Sequence, residues 1–483
     1  MMSTVFFTIL VSLFPGTGEP EWKPLLRDYF LAEDEGTQSR LRKKILATED
    51  LTVESLADAI RGLQLWDDQR TGDYEITLQM GDDESAKKRV WLHVPEEYNP
   101  SKHWPLILTF HTAGGNPDWM LNFTKRMLGD RADEFLIASP NWIGCEYLEG
   151  DARPSGVRGL GFTSPSESVG QPRFLLNTLR RRFHVDSDRV YLMGYSLDGS
   201  NVWTTAVMHA DCFAGVVPLS NTLQIVGRTV LYEEVLANCR NTAILFCWGA
   251  NDTLNGKGQS SPTGGIAGRA KTMAAVIRAL NFKAFEPVEI AGAGHRDVAP
   301  PQKALFELLD RRRVRTPKRV RQVFRLPQQS AAYWVEAEGM KGQPLQNGRL
   351  KIPQRKGESA ASAQRRYLVP KLGRVEVRRK GQTITMDSRR ARRVVLLLSD
   401  ELLNLDKSVK IRKKKKTIFK GKIDRDMNVL LTEAARGWDF DRLHTARVVV
   451  TGSGKVTFGY STTKKGKHRS AEKSKSQNNK KSK

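Results

Sequence analysis

The stretch Arg189–Gly199, which reads RVYLMGYSLDG, constrains the fold more than any other part of the chain. The apolar run Val190–Met193 predicts a buried strand, and Leu197–His209 is compatible with a helix. Ser196 lies at the tip of the turn between them. A sharp turn of this kind lifts the serine hydroxyl clear of the sheet edge and directs the backbone N–H of Leu197 toward a developing oxyanion. The pattern therefore predicts a serine nucleophile for acyl transfer.

The turn departs at one position from the pattern G-x-S-x-G. Asp198 occupies the fifth position, and a glycine follows only at Gly199. Glycine is used at the fifth position because the helix approaches the neighbouring strands too closely for a side chain. We expect that Asp198 finds room or that the turn shifts. A carboxylate here would also meet the positive end of the helix dipole.

Solid apolar runs separated by helical stretches surround this element and are typical of buried parallel strands in an α/β domain. An antiparallel hairpin, Tyr74–Met80 with Val90–Val94, precedes them. Predicted strands are Leu106–Phe110, Phe135–Ala138, Val190–Met193, Gly215–Pro218, Ala243–Cys247 and Phe285–Ile290, and predicted helices are Asp118–Met127, Pro172–Phe183, Leu197–His209, Ile266–Leu280 and Gln302–Arg313.

The composition divides the chain into further segments around an α/β domain at 72–313. Residues 19–71 show helical spacing and predict a small helical prefix. Residues 314–330 are predicted to be a linker, and short alternating segments in 331–460 predict an all-β accessory domain. Residues 461–483, with their many lysines and almost no apolar content, predict a disordered basic tail.

Two residues much later in the chain, Asp252 and His295, complete a candidate catalytic site with Ser196. A serine needs a base to take its proton and a carboxylate to orient that base. Asp252 and His295 each follow a predicted strand, so their loops would meet at the edge that carries Ser196. The alternative is a carboxylate in an Asx turn and a surface-loop histidine. Asn251, Asp297 and Glu289 are less favoured, because the first two miss the strand-to-loop position and the last lies within a strand.

A second oxyanion donor is expected in the loop after Leu106–Phe110. The glycine-rich turn His111–Gly115 follows that strand, and a backbone N–H at Thr112 or Ala113 would be within reach.

Residues 72–313 resemble the α/β-hydrolase superfamily, in its branch of secreted esterases, dienelactone hydrolases and phospholipase/carboxylesterases. The resemblance rests on HTAGG at 111–115, PNW at 140–142, FHVDSDRVYLMGYS at 183–196, FAGVVP at 213–218, WGAND at 248–252 and GAGH at 292–295. It implies an α/β-hydrolase fold with a mostly parallel sheet, preceded here by the helical segment and followed by the all-β domain. It also implies that Ser196 is the nucleophile, Asp252 the orienting acid and His295 the base.

The resulting hypothesis is a serine carboxylesterase that cleaves ester substrates, with acylated polysaccharide as a candidate. Trp142, Tyr195 and Trp248 are candidate pocket residues, although an aromatic near a strand end is as often core. One alternative is a catalytically impaired hydrolase fold that binds surfaces, for which Asp198 is the supporting feature. The other is a serine peptidase.

The net charge of +25 belongs entirely to the C-terminal third. Residues 314–483 hold 44 Lys and Arg against 14 Asp and Glu, whereas residues 1–313 hold 34 against 39. The run Lys413–Lys416, at a predicted hairpin tip, and the lysine-rich tail predict a polyanion anchor. Anionic polysaccharide or cell envelope is favoured over nucleic acid, because no regular pairing of aromatic and basic residues is seen.

The four cysteines form no C-x-x-C pair, so we predict neither a metal site nor a cofactor. A disulfide between Cys212 and Cys239 is an option for an exported chain. The apolar run Val5–Phe14 and the small residues after it match a secretory signal peptide at 1–18, although no Lys or Arg precedes the run. We therefore expect a secreted or periplasmic protein.

Overall fold

The structure is a computed structural model that describes residues 20–79, 87–111, 116–141, 171–225, 228–254, 264–345 and 352–460. The predicted signal peptide, the basic tail and three predicted site residues, Thr112, Ala113 and Trp142, lie outside these ranges. Among the described helices, none combines the length and the apolar character needed to cross a membrane.

An eight-stranded sheet forms the centre of the fold, in the order β1-β2-β4-β3-β5-β6-β7-β8. β2 pairs antiparallel with β1 and β4, and the other neighbours are parallel. The predicted hairpin and strands are confirmed, and this mostly parallel sheet fits the predicted α/β-hydrolase fold. Its strands are β1 (Gly72–Gln79), β2 (Lys87–Val94), β3 (Trp104–Phe110), β4 (Leu136–Pro140), β5 (Val185–Tyr195), β6 (Gly215–Leu219), β7 (Ala243–Gly249) and β8 (Phe285–Ile290).

Helices cover both faces of this sheet, which is why the central strands, β3 to β7, are buried almost throughout. The helices are α4 (Pro117–Leu128), α5 (Gln171–Arg182), α6 (Leu197–His209), α7 (Arg228–Leu236), α8 (Gly265–Leu280) and α9 (Gln302–Leu309). α4 and α9 share one hydrophobic core with the sheet, and α5 to α8 share the other. Sequence reasoning missed α7 and extended α9 to Arg313, although the helix ends at Leu309.

Three short helices form the predicted prefix: α1 (Trp22–Leu31), α2 (Glu35–Leu46) and α3 (Val53–Arg61). Asp34 and Thr52 cap the second and third, each accepting a backbone N–H in the first turn. Their apolar faces pack against α11 (Met427–Gly437) rather than on the central sheet. The Tyr29 hydroxyl also donates to the Leu431 carbonyl across this contact, at 3.1 Å.

The C-terminal region is rich in strands, but the all-β prediction is wrong because it contains two helices, α10 (Ala360–Leu368) and α11. α11 is amphipathic, and its buried side chains complete the core of the prefix. One sheet has the order β10-β13-β16-β17 and the other β15-β14-β12-β11-β9. The strands are β9 (Arg319–Phe324), β10 (Val335–Met340), β11 (Gly373–Lys380), β12 (Thr383–Arg389), β13 (Ala391–Leu398), β14 (Val409–Lys413), β15 (Lys416–Gly421), β16 (Ala446–Thr451) and β17 (Val456–Phe458).

The segment predicted as a linker, 314–330, is part of the folded structure. β9 lies within it and pairs antiparallel with β11, and its Val323 belongs to a core of the central sheet. The expectation of a linker fails because Val320, Val323 and Phe324 of β9 are buried, which the surrounding arginines and prolines obscure in the sequence.

Buried ion pairs also join the central sheet to the C-terminal region. Arg313 Nη1 lies 2.7 Å from Asp439 Oδ2, and Arg313 Nη2 lies 3.0 Å from Asp188 Oδ1. Asp211, just after α6, pairs with Arg173 and with Arg442. Removing one partner of a buried pair leaves an uncompensated charge, so these contacts make the C-terminal region a structural part of the α/β core.

Candidate active site

Ser196 lies in the turn between β5 and α6, in a backbone conformation that non-glycine residues seldom adopt. Its φ is 56° and its ψ is −118°. The Ser196 N–H donates to the carbonyl oxygen of Leu219, at the end of β6, over 3.0 Å. Strained residues of this kind cost about 1 to 3 kcal/mol and cluster at functional sites. The predicted strand, turn and helix are therefore present, with the serine at the tip.

In this turn, the position that must be a glycine is 199 and not 198. A Cβ at Gly199 would lie 2.2 Å from the Leu219 carbonyl oxygen. This distance is too short for any residue other than glycine. Asp198 is fully buried, and its carboxylate accepts a hydrogen bond from the Asn201 side-chain amide, one helical turn on. The departure from G-x-S-x-G is thus accommodated because the close approach is shifted by one residue.

His295 connects the serine to a buried carboxylate. The Ser196 Oγ lies 2.7 Å from His295 Nε2, and His295 Nδ1 lies 2.7 Å from Asp252 Oδ2. Asp252 is 1% exposed. An ionised carboxylate only accepts hydrogen bonds, so Nδ1 carries the proton and Nε2 accepts from the serine hydroxyl. The three residues predicted from sequence are brought together.

Backbone contacts hold the two loops that carry Asp252 and His295 against each other. The Asn251 N–H donates to the Ala293 carbonyl oxygen at 2.9 Å, and a Cβ at Gly249 would lie 2.4 Å from that same oxygen. The other Asp252 oxygen accepts from the Leu254 N–H at 3.3 Å. The carboxylate is therefore oriented from two sides, by a backbone N–H and by the imidazole.

Two hydroxyls converge on the backbone carbonyl of His295. The Tyr195 hydroxyl donates to it, and the Ser220 hydroxyl donates to it over 3.4 Å. Burial raises the pKa of Tyr195, so this hydroxyl remains a donor at neutral pH. Sequence reasoning missed Ser220, although its position directly after β6, at the same sheet edge as Ser196, was a signal.

The predicted pocket aromatics have other surroundings. Tyr195 is 4% exposed and packs edge-on against Trp119 and Phe123, so it braces the site rather than lining an open surface. Trp248 is 1% exposed, packs on Phe246 and belongs to a core of the sheet. Assigning Trp248 to a pocket was wrong, because its side chain lies on the strand face that α8 covers. Trp142 lies outside the described residues.

The predicted oxyanion donors are only partly within the described chain. Leu197 is the first residue of α6, and the first N–H groups of a helix are not used by its own hydrogen bonds. β3 ends at Phe110, and the buried His111 follows it toward the loop with Thr112 and Ala113, which lies outside the described residues.

The arrangement can transfer a proton from the serine to the imidazole while the carboxylate stabilises the imidazolium that results. It also offers a helix N-terminus beside the serine, where negative charge is favoured. These are the requirements for nucleophilic attack on a carbonyl carbon.

No protein-family model matches the chain, and no curated protein is similar to it in sequence. Among solved structures it is similar to a thermostable esterase, at 16% identity and a TM-score of 0.38, over 50% of this chain and 63% of the esterase. A ferulic acid esterase is 16% identical, with a TM-score of 0.37, over 50% of this chain and 97% of its own. A second ferulic acid esterase, from Anaeromyces mucronatus, is 14% identical, with a TM-score of 0.36, over 49% of this chain and 89% of its own.

Proposed function

We propose that the protein is a serine hydrolase that cleaves carboxylic esters. The observation that carries the proposal is the continuous hydrogen-bonded chain from Ser196 through His295 to Asp252, with both links at 2.7 Å. Its geometry already fits the proton transfer that activates a serine.

In the proposed mechanism His295 Nε2 takes the hydroxyl proton as Ser196 Oγ attacks the ester carbonyl carbon. The resulting oxyanion is stabilised by the Leu197 N–H and by a donor from the loop after β3. His295 then gives its proton to the departing alcohol, which leaves an acyl-serine. A water molecule, deprotonated by the same imidazole, attacks this ester and releases the acid and the free serine.

The surroundings of Asp198 do not favour the alternative of a silent hydrolase fold. Its carboxylate is buried and is held by Asn201 on its own helix. The residue that had suggested impairment therefore has a structural role, and the turn keeps its glycine contact at Gly199.

A fluorophosphonate probe tests the proposal directly, because it reacts covalently only with an activated serine. We expect stoichiometric labelling of Ser196, located by peptide mass spectrometry, and none in Ser196→Ala. Ser200→Ala is the matched control: this serine lies one turn along α6, and its buried hydroxyl has no hydrogen-bond partner among the described residues. Labelling lost in Ser200→Ala, or absent from the parent protein, would refute the proposal.

A panel of acyl substrates then tests the reaction type and the acyl group. Acetyl, feruloyl and longer acyl esters are compared with the corresponding amides. An acyl ester of a polysaccharide is included, since acylated polysaccharide is our candidate substrate. Faster cleavage of amides than of esters would instead support a peptidase.

A further inference from the structure

In the five-stranded sheet β15-β14-β12-β11-β9, the outer face of β11, β12, β14 and β15 carries half-buried to exposed side chains, whereas β9 is covered by the α/β domain. The inward residues of β11, β12 and β14 belong to one hydrophobic core, so the alternate residues point outward. The outward residues of these strands are arginines, lysines, threonines and two carboxylates.

Three lysines lie in one row across four strands of this face. Lys380 on β11 is paired with Thr383 on β12, Thr383 with Lys410 on β14, and Lys410 with Lys420 on β15. All three lysines are exposed. Neighbouring strands lie about 4.8 Å apart, so this lysine row extends over roughly 14 Å.

The carboxylates of the same face are already occupied by arginines. Glu376 binds Arg319 at 2.7 Å and Arg378 at 2.9 Å, and Asp387 binds Arg374 at 2.5 Å. None of the lysines in the row forms an ion pair with a carboxylate in the described part of the chain. The row is therefore a set of uncompensated positive charges.

The arrangement of the row costs the fold some stability. Lys410 and Lys420 are directly opposite in an antiparallel pair, and like charges at such positions are destabilising. A bound polyanion would remove this repulsion, because anionic groups between the two lysines would attract both.

We infer that the lysine row binds an anionic polysaccharide, with the exposed lysines of the β14–β15 turn extending the same surface. Among the described residues, no aromatic side chain lies on this outer face. Single-stranded nucleic acids are held largely by stacking of bases on such aromatics. What the face offers is ion pairing with anionic groups along a polymer, which suits sulfated or uronate-containing chains.

Binding of the full-length chain to heparin, as a function of salt, tests this inference. The variant combines Lys380→Gln, Lys410→Gln and Lys420→Gln. The control combines Lys102→Gln, Lys283→Gln and Lys303→Gln, which removes the same charge from exposed positions of the α/β domain. We expect the lysine-row variant to bind roughly tenfold to a hundredfold more weakly, with a shallower dependence on salt.

The control should retain most of the parent affinity, and both variants should keep the parent turnover of a small neutral ester. Equal loss in both variants would overturn the inference, because net charge alone would then explain binding. A single-stranded RNA that binds more tightly than heparin through the same lysines would overturn the assignment to polysaccharide. Since no step involves Ser196, failure here leaves the hydrolase proposal untouched.

Discussion

The Tyr195 hydroxyl donates a hydrogen bond to the backbone carbonyl of His295, so the residue before the candidate nucleophile fixes the loop that carries the candidate base. The bond crosses from β5 to the loop after β8 and does not involve the imidazole itself. Tyr195 is therefore a positioning residue: it sets the distance between Ser196 and His295 through the main chain.

The substitution Tyr195→Phe removes this bond and keeps the packed ring. A hydrogen bond contributes about 1 kcal/mol, so we expect kcat for ester hydrolysis to fall roughly fivefold with little change in KM. Tyr191→Phe is the matched control, because the Tyr191 hydroxyl also donates to a backbone carbonyl, that of Arg311, at 2.8 Å, away from the site. The control should lose stability but keep its kcat. An equal loss of kcat in both variants would show that Tyr195 has no specific positioning role.

Ser196→Ala and His295→Ala should each abolish ester hydrolysis while thermal unfolding stays close to that of the parent. When catalytic residues act as one unit, removing either of them typically lowers kcat by a factor on the order of 10⁴ to 10⁶, and removing both lowers it little further. Kinetics with an activated ester checks this, with Ser200→Ala as the active control. A double variant whose loss is the product of the two single losses would show that the residues act independently.

Asp198→Gly restores the pattern G-x-S-x-G but removes the acceptor for the Asn201 amide. We expect the free energy of unfolding to fall by about 1 to 3 kcal/mol, since a buried donor loses its partner. Asp198→Asn keeps an oxygen acceptor and should retain more of that stability. The measurement is urea unfolding. A glycine variant as stable as the parent but faster in turnover would show that the carboxylate acts on the oxyanion instead.

Local patterns explain why so much of the site could be predicted from sequence. The strand before Ser196 and the loops with Asp252 and His295 each have a signal within a few residues, and a parallel sheet brings such loops to one edge. The contact of Gly199 with Leu219 has no local signal, because a neighbouring strand makes it. The same holds for the Arg313–Asp439 pair, whose partners are 126 residues apart.

The pH dependence of stability should reveal the buried ion pairs. Burial by itself would raise the pKa of Asp211, but Arg173 and Arg442 outweigh it and lower the pKa to about 2. An unfolded aspartate has a pKa of about 3.9. The stabilisation is therefore fully present above about pH 5 and is lost progressively as the pH falls through about 2, an effect of roughly 2 to 3 kcal/mol.

In urea unfolding measured at several pH values, Asp211→Asn should reduce the dependence of the free energy of unfolding on pH in the acid range. Asp58→Asn is the control, because Asp58 pairs with Arg61 on the surface with 79% of its side chain exposed. Exposed pairs contribute little, so the control should keep the parent slope. An unchanged slope in Asp211→Asn would show that other carboxylates govern acid unfolding.

Lys413 and Lys415, close together at the tip of the β14–β15 hairpin, should differ in what they do. The Lys413 ammonium donates to the carbonyl of Thr451 at 3.1 Å and also to that of Gly452, which ties the hairpin to β16. Lys415 is exposed in the turn. Lys413→Ala should lower the free energy of unfolding by about 1 kcal/mol and change heparin elution little, since this charge is already engaged. Lys415→Ala should leave unfolding unchanged and lower the salt needed for elution. An equal drop in the elution salt of both variants would show that the run of four lysines, as the sequence suggests, acts as a single cluster.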